Sequence, residues 1–140
     1  MSKYELLIRT EFSAAHQLMM PDGGLEAVHS HNWRVEVFLE GGELNGASLL
    51  VDFTVLQRHL SQITGDLQDR LLNDVPAFAG RNPSTEKVAQ YLHDRFAPVI
   101  PENVRVTKVR VWETLNCAAA YVPDAASADE QFGPDAPGFG

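Results

Sequence analysis

Residues 28–33, VHSHNW, open a run whose side chains alternate in character through RVEVFLEG. Alternation of that length favours one local solution, an extended strand with one buried face and one wet face. Trp33, Val35, Val37 and Leu39 share a face, and Asn32, Arg34, Glu36 and Phe38 share the other. His31 is in phase with the apolar row and His29 stands two residues before it, so both imidazoles project from the same side. FSAAH ends in His16 after another alternating run and supplies a third candidate from what reads as a neighbouring strand. Two histidines from one strand and a third from its neighbour suit a three-imidazole zinc site with an open coordination position. His59 and His93 fall on predicted helices and read as polar-face residues instead.

The remaining segments build around that strand. Tyr4, Leu6 and Ile8 alternate with Glu5, Leu7 and Arg9 in a first strand over residues 4–11. Pro21, Asp22, Gly23 and Gly24 mark a turn in the loop that feeds His29. GGELNGAS ends the second strand, and LLV at 49–51 reads as a short strand. Asp52 is a helix cap, after which Phe53, Leu56, Leu60, Ile63, Leu67 and Leu71 recur at helical spacing, with an interruption near Gly65. A second helix starts near Ser84, capped by Asn82 or Ser84, with Pro83 suited to its first position. It buries Val88, Leu92 and Phe96 and stops before Pro98 and Pro101.

Residues 104–114 form a further strand, with Val109, Val111 and Glu113 on one face and Val106, Lys108, Arg110 and Trp112 on the other. LNCAAAYV continues the sheet, with Cys117 as a small buried hydrophobe. The expected class is α+β, an antiparallel sheet with two helices on one face. Without βα repeats or a glycine-rich phosphate loop, Rossmann and P-loop folds are poor fits. Residues 1–122 make one domain. Residues 123–140, rich in Ala, Asp, Gly and Pro, are expected to form a flexible tail, in which Phe132 and Phe139 could dock locally or on a neighbouring subunit, a choice the sequence does not decide.

Charge narrows the partners. Across 140 residues the formal net charge is -8, which argues against a nucleic-acid surface. One cysteine cannot form an intrachain disulfide, and the start, MSKYELLIRTEF, has no signal-peptide core. No apolar run reaches the length of a membrane span. A cytoplasmic protein without a membrane partner is expected.

The ordered set FSAAH, HSHN, VDF, LLND, NPSTE and WET, spread over residues 4–121, resembles the 6-pyruvoyl- and 6-carboxy-tetrahydropterin synthase family. The resemblance implies the tunnelling fold (T-fold), a four-stranded antiparallel sheet with two helices, joined by subunits into a β-barrel as trimers stacked into a homohexamer. It implies Zn2+ held by His16, His29 and His31, with Ser30 between the last two in place of the usual glycine. It further implies a dihydropterin substrate, 7,8-dihydroneopterin triphosphate or a close relative, whose ring is anchored by Glu113. Ser84 and Thr85 fall in the segment lining that pocket, although either residue also suits a helix cap. Arg34, Lys87, Arg105 and Arg110 are candidate phosphate contacts or ordinary surface charges.

The departures from the family pattern shape the expected chemistry. GGLEAVH lacks the catalytic cysteine of the pyruvoyl- and carboxy-forming members, and Cys117 matches no catalytic position. Glu26-x-x-His29 resembles a subgroup in which glutamate takes the cysteine's place and the product is 6-hydroxymethyl-7,8-dihydropterin. The family's Asp-His pair is absent; Gln68 and Asp69 stand there, and Asp69 is either an acid–base group or a solvated carboxylate. The expected protein is a zinc-dependent carbon–oxygen or carbon–carbon lyase of a folate- or queuosine-type pathway. The alternative is a weakened family member that binds zinc and pterin without the usual turnover.

Overall fold

The computed structural model describes residues 2–124. The expected tail from 125 onward, with Phe132 and Phe139, lies outside the described residues. The chain runs β1 (Tyr4–His16), β2 (His29–Gly41), α1 (Phe53–Gly65), β3 (Arg70–Leu71), α2 (Thr85–Phe96), β4 (Arg105–Trp112) and β5 (Ala118–Tyr121). Short 3-10 turns occupy Leu72–Asp74, Pro76–Phe78 and Ala97–Val99. The strands form one sheet in the order β3-β1-β2-β4-β5.

The expected four-stranded antiparallel sheet is therefore corrected to five strands. The extra strand, β3, is two residues long and pairs parallel to Ala14 and Ala15. Two residues carry no periodicity, so this edge was invisible in sequence. It arises because α1 ends at Gly65 instead of running on to Leu71. Asp69 then takes a left-handed backbone (φ 61°), donates its N–H to the Ser13 carbonyl at 2.6 Å, and turns the chain onto the β1 edge. The short strand expected at residues 49–51 does not form; Leu50 and Val51 are buried in a bent connection.

Both helices lie on one face of the sheet, and the core is the interleaving of three rows. Ile8, Phe12 and Ala14 come from β1, and Trp33, Val35, Val37 and Leu39 from β2. Leu56 and Leu60 of α1, with Val88, Leu92 and Phe96 of α2, close over them, all 0% exposed. Burial of each such aliphatic or aromatic side chain contributes about 1.5–3 kcal/mol. Phe53, assigned by spacing to the buried stripe, is instead 52% exposed at the first helical position. Asp52 caps α1 by accepting the Thr54 N–H at 2.8 Å. Ser84 caps α2 by accepting the Lys87 N–H at 3.2 Å. Pro83 thus precedes the cap rather than opening the helix.

A register shift at Phe38/Leu39 places Leu39 opposite Val106 and Phe38 opposite Lys108, leaving Thr107 between them. This bulge turns Val106 inward beside Val109, against the simple alternation that grouped Val106 with Lys108. Cys117 is exposed in the β4–β5 connection, not buried. Among the described residues no helix is long and apolar enough to cross a membrane.

The opposite face of the sheet carries an ion cluster around one buried carboxylate. Glu36, 6% exposed, accepts from Arg110 Nε at 2.7 Å and Trp112 Nε1 at 2.8 Å, while Arg9 Nη2 lies 3.2 Å from its second oxygen. Burial alone would raise its pKa, but these donors and the charges of Arg110 and Arg9 together hold the carboxyl below its ordinary value of 4.5. A depressed folded pKa gives stability that is present above the unfolded value and lost as pH falls through the folded one. Glu36→Gln is expected to lower stability at neutral pH by roughly 1–3 kcal/mol. It should also flatten the acid limb of a plot of urea midpoint against pH. Identical acid limbs in parent and variant would count against this assignment.

Candidate metal centre and its carboxylates

Strand register assembles the three histidines. His16 and His29 are direct cross-strand partners, and His31 sits opposite Ala14, two residues along β1 from His16. All three point to the helix-covered face, and their ligand nitrogens lie within 4.8 Å of one another. His16 is fully buried, while the His31 and His29 side chains are 17% and 36% exposed. The cluster is thus dry at one end and open at the other. Trp33 forms its floor, edge-on to His16 and His31 at centroid distances of 4.9 and 5.5 Å. Its indole Nε1 donates to the Ala14 carbonyl at 3.1 Å, which locks the floor to β1.

Backbone carbonyls orient two of the rings. His16 Nδ1 is 2.8 Å from the Pro83 oxygen, and His29 Nδ1 is 3.0 Å from the Ala27 oxygen. A carbonyl only accepts, so each Nδ1 is the donor, and the bond turns each Nε2 toward the cluster. Nε2 of His16 and Nε2 of His31 are buried and have no hydrogen-bond partner. Buried, unsatisfied nitrogen atoms are costly, about 1–3 kcal/mol each. An electrophile at their meeting point removes that cost. Burial lowers the His31 pKa below 6.5; the Glu113 carboxylate opposes this, while His29 and His16 reinforce it. His31 is therefore neutral and ready to ligate at neutral pH. Three such nitrogens fit a divalent metal ion and leave a coordination position for substrate.

Two carboxylates flank the cluster. Glu113 follows β4 in phase with Val109 and Val111, in the turn closed by its N–H to the Cys117 carbonyl at 3.0 Å. Its Oε1 accepts from Thr85 Oγ1 at 2.8 Å and lies 3.5 Å from His16 Nε2; its Oε2 lies 3.6 Å from His31 Nε2. Glu26 comes from the hairpin before β2, where Met19 bridges to Leu25. Its Oε1 lies 3.8 Å from His29 Nε2 and accepts the Leu18 N–H at 3.2 Å.

The structure thus brings His16, His29, His31, Glu26, Glu113 and Thr85 together. Ser84 is next to them in sequence, with its hydroxyl oxygen engaged as the α2 cap. Asp69 is exposed, and its carboxylate accepts from Gln68 Nε2 at 3.0 Å. No hydrogen bond or ion pair among the described residues ties Asp69 to the histidines. Sequence reasoning missed the Thr85–Glu113 bond and the Pro83 carbonyl. NPSTE stood out as a helix start and, by resemblance, as a pocket-lining segment, but the target of a hydroxyl or a carbonyl is not encoded locally.

Fold and site together define an α+β domain with a three-histidine cluster that could hold a metal ion and two carboxylates at its rim. The model of the 6-pyruvoyl tetrahydropterin synthase family matches residues 5–124, and the chain belongs to that family. It is 28% identical over 111 residues to the dihydroneopterin monophosphate aldolase of Pyrococcus furiosus, covering 79% of this chain and 90% of that protein. It is 30% identical over 127 residues to human 6-pyruvoyl tetrahydrobiopterin synthase, covering 81% and 87%. The solved Caenorhabditis elegans 6-pyruvoyl tetrahydropterin synthase shares the fold at a TM-score of 0.76 and 23% identity, over 89% of this chain and 98% of that one. At family level the protein is a pterin-synthase-like lyase, and its histidine cluster could hold a metal ion.

The purified protein is expected to hold a stoichiometric divalent metal ion by inductively coupled plasma mass spectrometry. His16→Ala and His31→Ala should lose most of it, whereas His93→Ala, on the far part of α2, should retain it. Full retention in both triad variants would overturn the assignment of the cluster.

Proposed function

We propose that the protein is a zinc-dependent lyase that cleaves the side chain of 7,8-dihydroneopterin triphosphate or a less phosphorylated relative, forming 6-hydroxymethyl-7,8-dihydropterin. The observation that carries this reading is Glu26, whose carboxylate stands 3.8 Å from His29 Nε2 where the chain has no cysteine. The resemblance to an archaeal dihydroneopterin monophosphate aldolase supports carbon–carbon cleavage over the pyruvoyl-forming reaction. It also leaves the phosphate count open to test. His16, His29 and His31 would hold the zinc, which when bound supplies Lewis acidity toward side-chain oxygens.

The chain's own residues perform the rest. Glu113 receives the amino-pyrimidine edge of the pterin, with two acceptor oxygens matching its N–H donors. Thr85 fixes the carboxylate by donating to one of those oxygens. Glu26 takes the proton from the hydroxyl on the second side-chain carbon. The bond between the first and second carbons breaks, and its electron pair passes into the adjacent imine of the ring. Glu26 returns the proton to the first carbon, giving the hydroxymethyl group, and the second carbon leaves as an aldehyde with the phosphate. Trp33, beneath the rings, excludes water from the buried side. Asp69 takes no part in this proton path, and the assembly of subunits into a closed barrel belongs to the same proposal.

Anaerobic incubation of zinc-loaded protein with the mono- and triphosphates of dihydroneopterin, followed by mass spectrometry, tests the reading. 6-Hydroxymethyl-7,8-dihydropterin is expected, with Glu26→Gln at least 10²-fold slower, in line with the loss of a general base, and with its zinc intact. Glu113→Gln should weaken pterin binding and keep the metal. Pterin binding without any product would move the assignment to a non-catalytic pterin-binding protein.

A further inference from the structure

Two asparagines far apart in sequence grip the same short segment. Asn73, in the 3-10 turn after β3, accepts the Gln17 N–H at 2.9 Å and donates Nδ2 to the Gln17 carbonyl at 2.8 Å. Asn82, in the loop before α2, does the same to Met19, at 2.8 Å in both directions. Each side-chain amide reproduces the donor–acceptor pair that a neighbouring strand would offer. Residues 17 and 19 present their backbone groups to one side of this extended stretch, and residue 18 presents its own to the other. That other edge holds Glu26. The Leu18 N–H donates to Glu26 Oε1 at 3.2 Å, and the Glu26 N–H donates to the Leu18 carbonyl at 3.1 Å. Gln17 Nε2 adds a bond to the Glu26 carbonyl at 2.8 Å.

Little apolar burial anchors this segment. Met19, Met20, Leu25 and Val28 are 56%, 44%, 63% and 53% exposed. Its geometry therefore depends on hydrogen bonds, and the asparagines supply those that reach out of the hairpin to the rest of the domain. Asn82 also begins a strip in which successive residues each serve the site. Pro83 orients His16, Ser84 caps α2 and Thr85 holds Glu113.

We propose that Asn73 and Asn82 are positioning residues that set the Glu26 carboxylate against His29 by clamping residues 17–19 from the opposite edge. This rests on the reading of Glu26 as the base and adds how its place is determined. The clamp acts through geometry alone: neither asparagine touches substrate. Loss of either lets the ribbon move away from the histidines, while β1, β2 and the metal ligands stay in register.

Asn73→Ala, Asn82→Ala and Asn82→Asp, with and without Glu26→Gln, form the test. Each alanine variant is expected to lower kcat by about 10²-fold, the scale of a small misplacement, with KM for the pterin and metal content unchanged. On the Glu26→Gln background, Asn82→Ala should remove nothing further from the residual rate. Asn82→Asp keeps the acceptor for the Met19 N–H and should recover part of the rate. Hydrogen exchange read by mass spectrometry should show faster exchange at the Glu26 amide with β1 and β2 still protected. That readout stands even if the parent makes no product, so failure of the lyase reading and failure of the clamp are separable. Unchanged protection at Glu26, or an equal rate loss with and without the Glu26 carboxylate, overturns the proposal. Asn82→Asp carries the comparison if an alanine variant does not fold.

Discussion

The antiparallel register between β1 and β2 is the constraint on which everything else depends. Pairing His16 with His29 puts three imidazoles on one face, and the same register aligns Phe12 with Trp33 and Ile8 with Val37 beneath the helices. A slip of one residue would turn every side chain of one strand to the opposite face. His16 would then leave the cluster at the same moment that Phe12 and Ile8 left the core. Histidine cluster and hydrophobic core are thus held by one choice of register. Burial of the apolar row selects that register, and the grouping of the histidines comes with it.

The cluster itself shows the signs of a site prepared for a ligand. In an ordinary core, a buried histidine finds partners for both nitrogens. Here Pro83 and Ala27 engage the Nδ1 atoms of His16 and His29, while Nε2 of His16 and of His31 face inward with no hydrogen-bond partner. Glu113 lies near both of those nitrogens at 3.5 and 3.6 Å, yet its bond is to Thr85 at 2.8 Å. The fold thereby directs these nitrogens to one point beside a carboxylate that is already committed to a position. Such preorganisation is what second-layer hydrogen bonds supply at metal centres.

The segment that carries Glu26 is held by a different kind of interaction. β1 and β2 are locked by packing, whereas residues 17–28 bury little and are ordered by hydrogen bonds to side-chain amides. The histidines thus sit on a packed frame, and Glu26 sits on a hydrogen-bonded one.

The sequence by itself determined which residues face one another along each element. Alternation in β2 carried Trp33, Val35, Val37 and Leu39 inward with His31, spacing carried Leu56, Leu60, Val88 and Leu92 to the helix faces, and Asp52 marked the first cap, while the choice between Asn82 and Ser84 for the second fell to the structure. The ordered motifs were sufficient to indicate the family and the histidine cluster. Only the tertiary structure decided what joins distant segments. β3 was too short to show a period, and the bulge opposite Phe38 reversed the face of Val106 by one residue. Cys117 came out exposed because its turn closes over no core. The bonds from Thr85 to Glu113, from Asn73 to Gln17 and from Asn82 to Met19 span 28, 56 and 63 residues. Local pattern reports the face a residue occupies, because that follows from backbone period. The partner across such a distance follows from how the elements pack, and it becomes definite only when they meet.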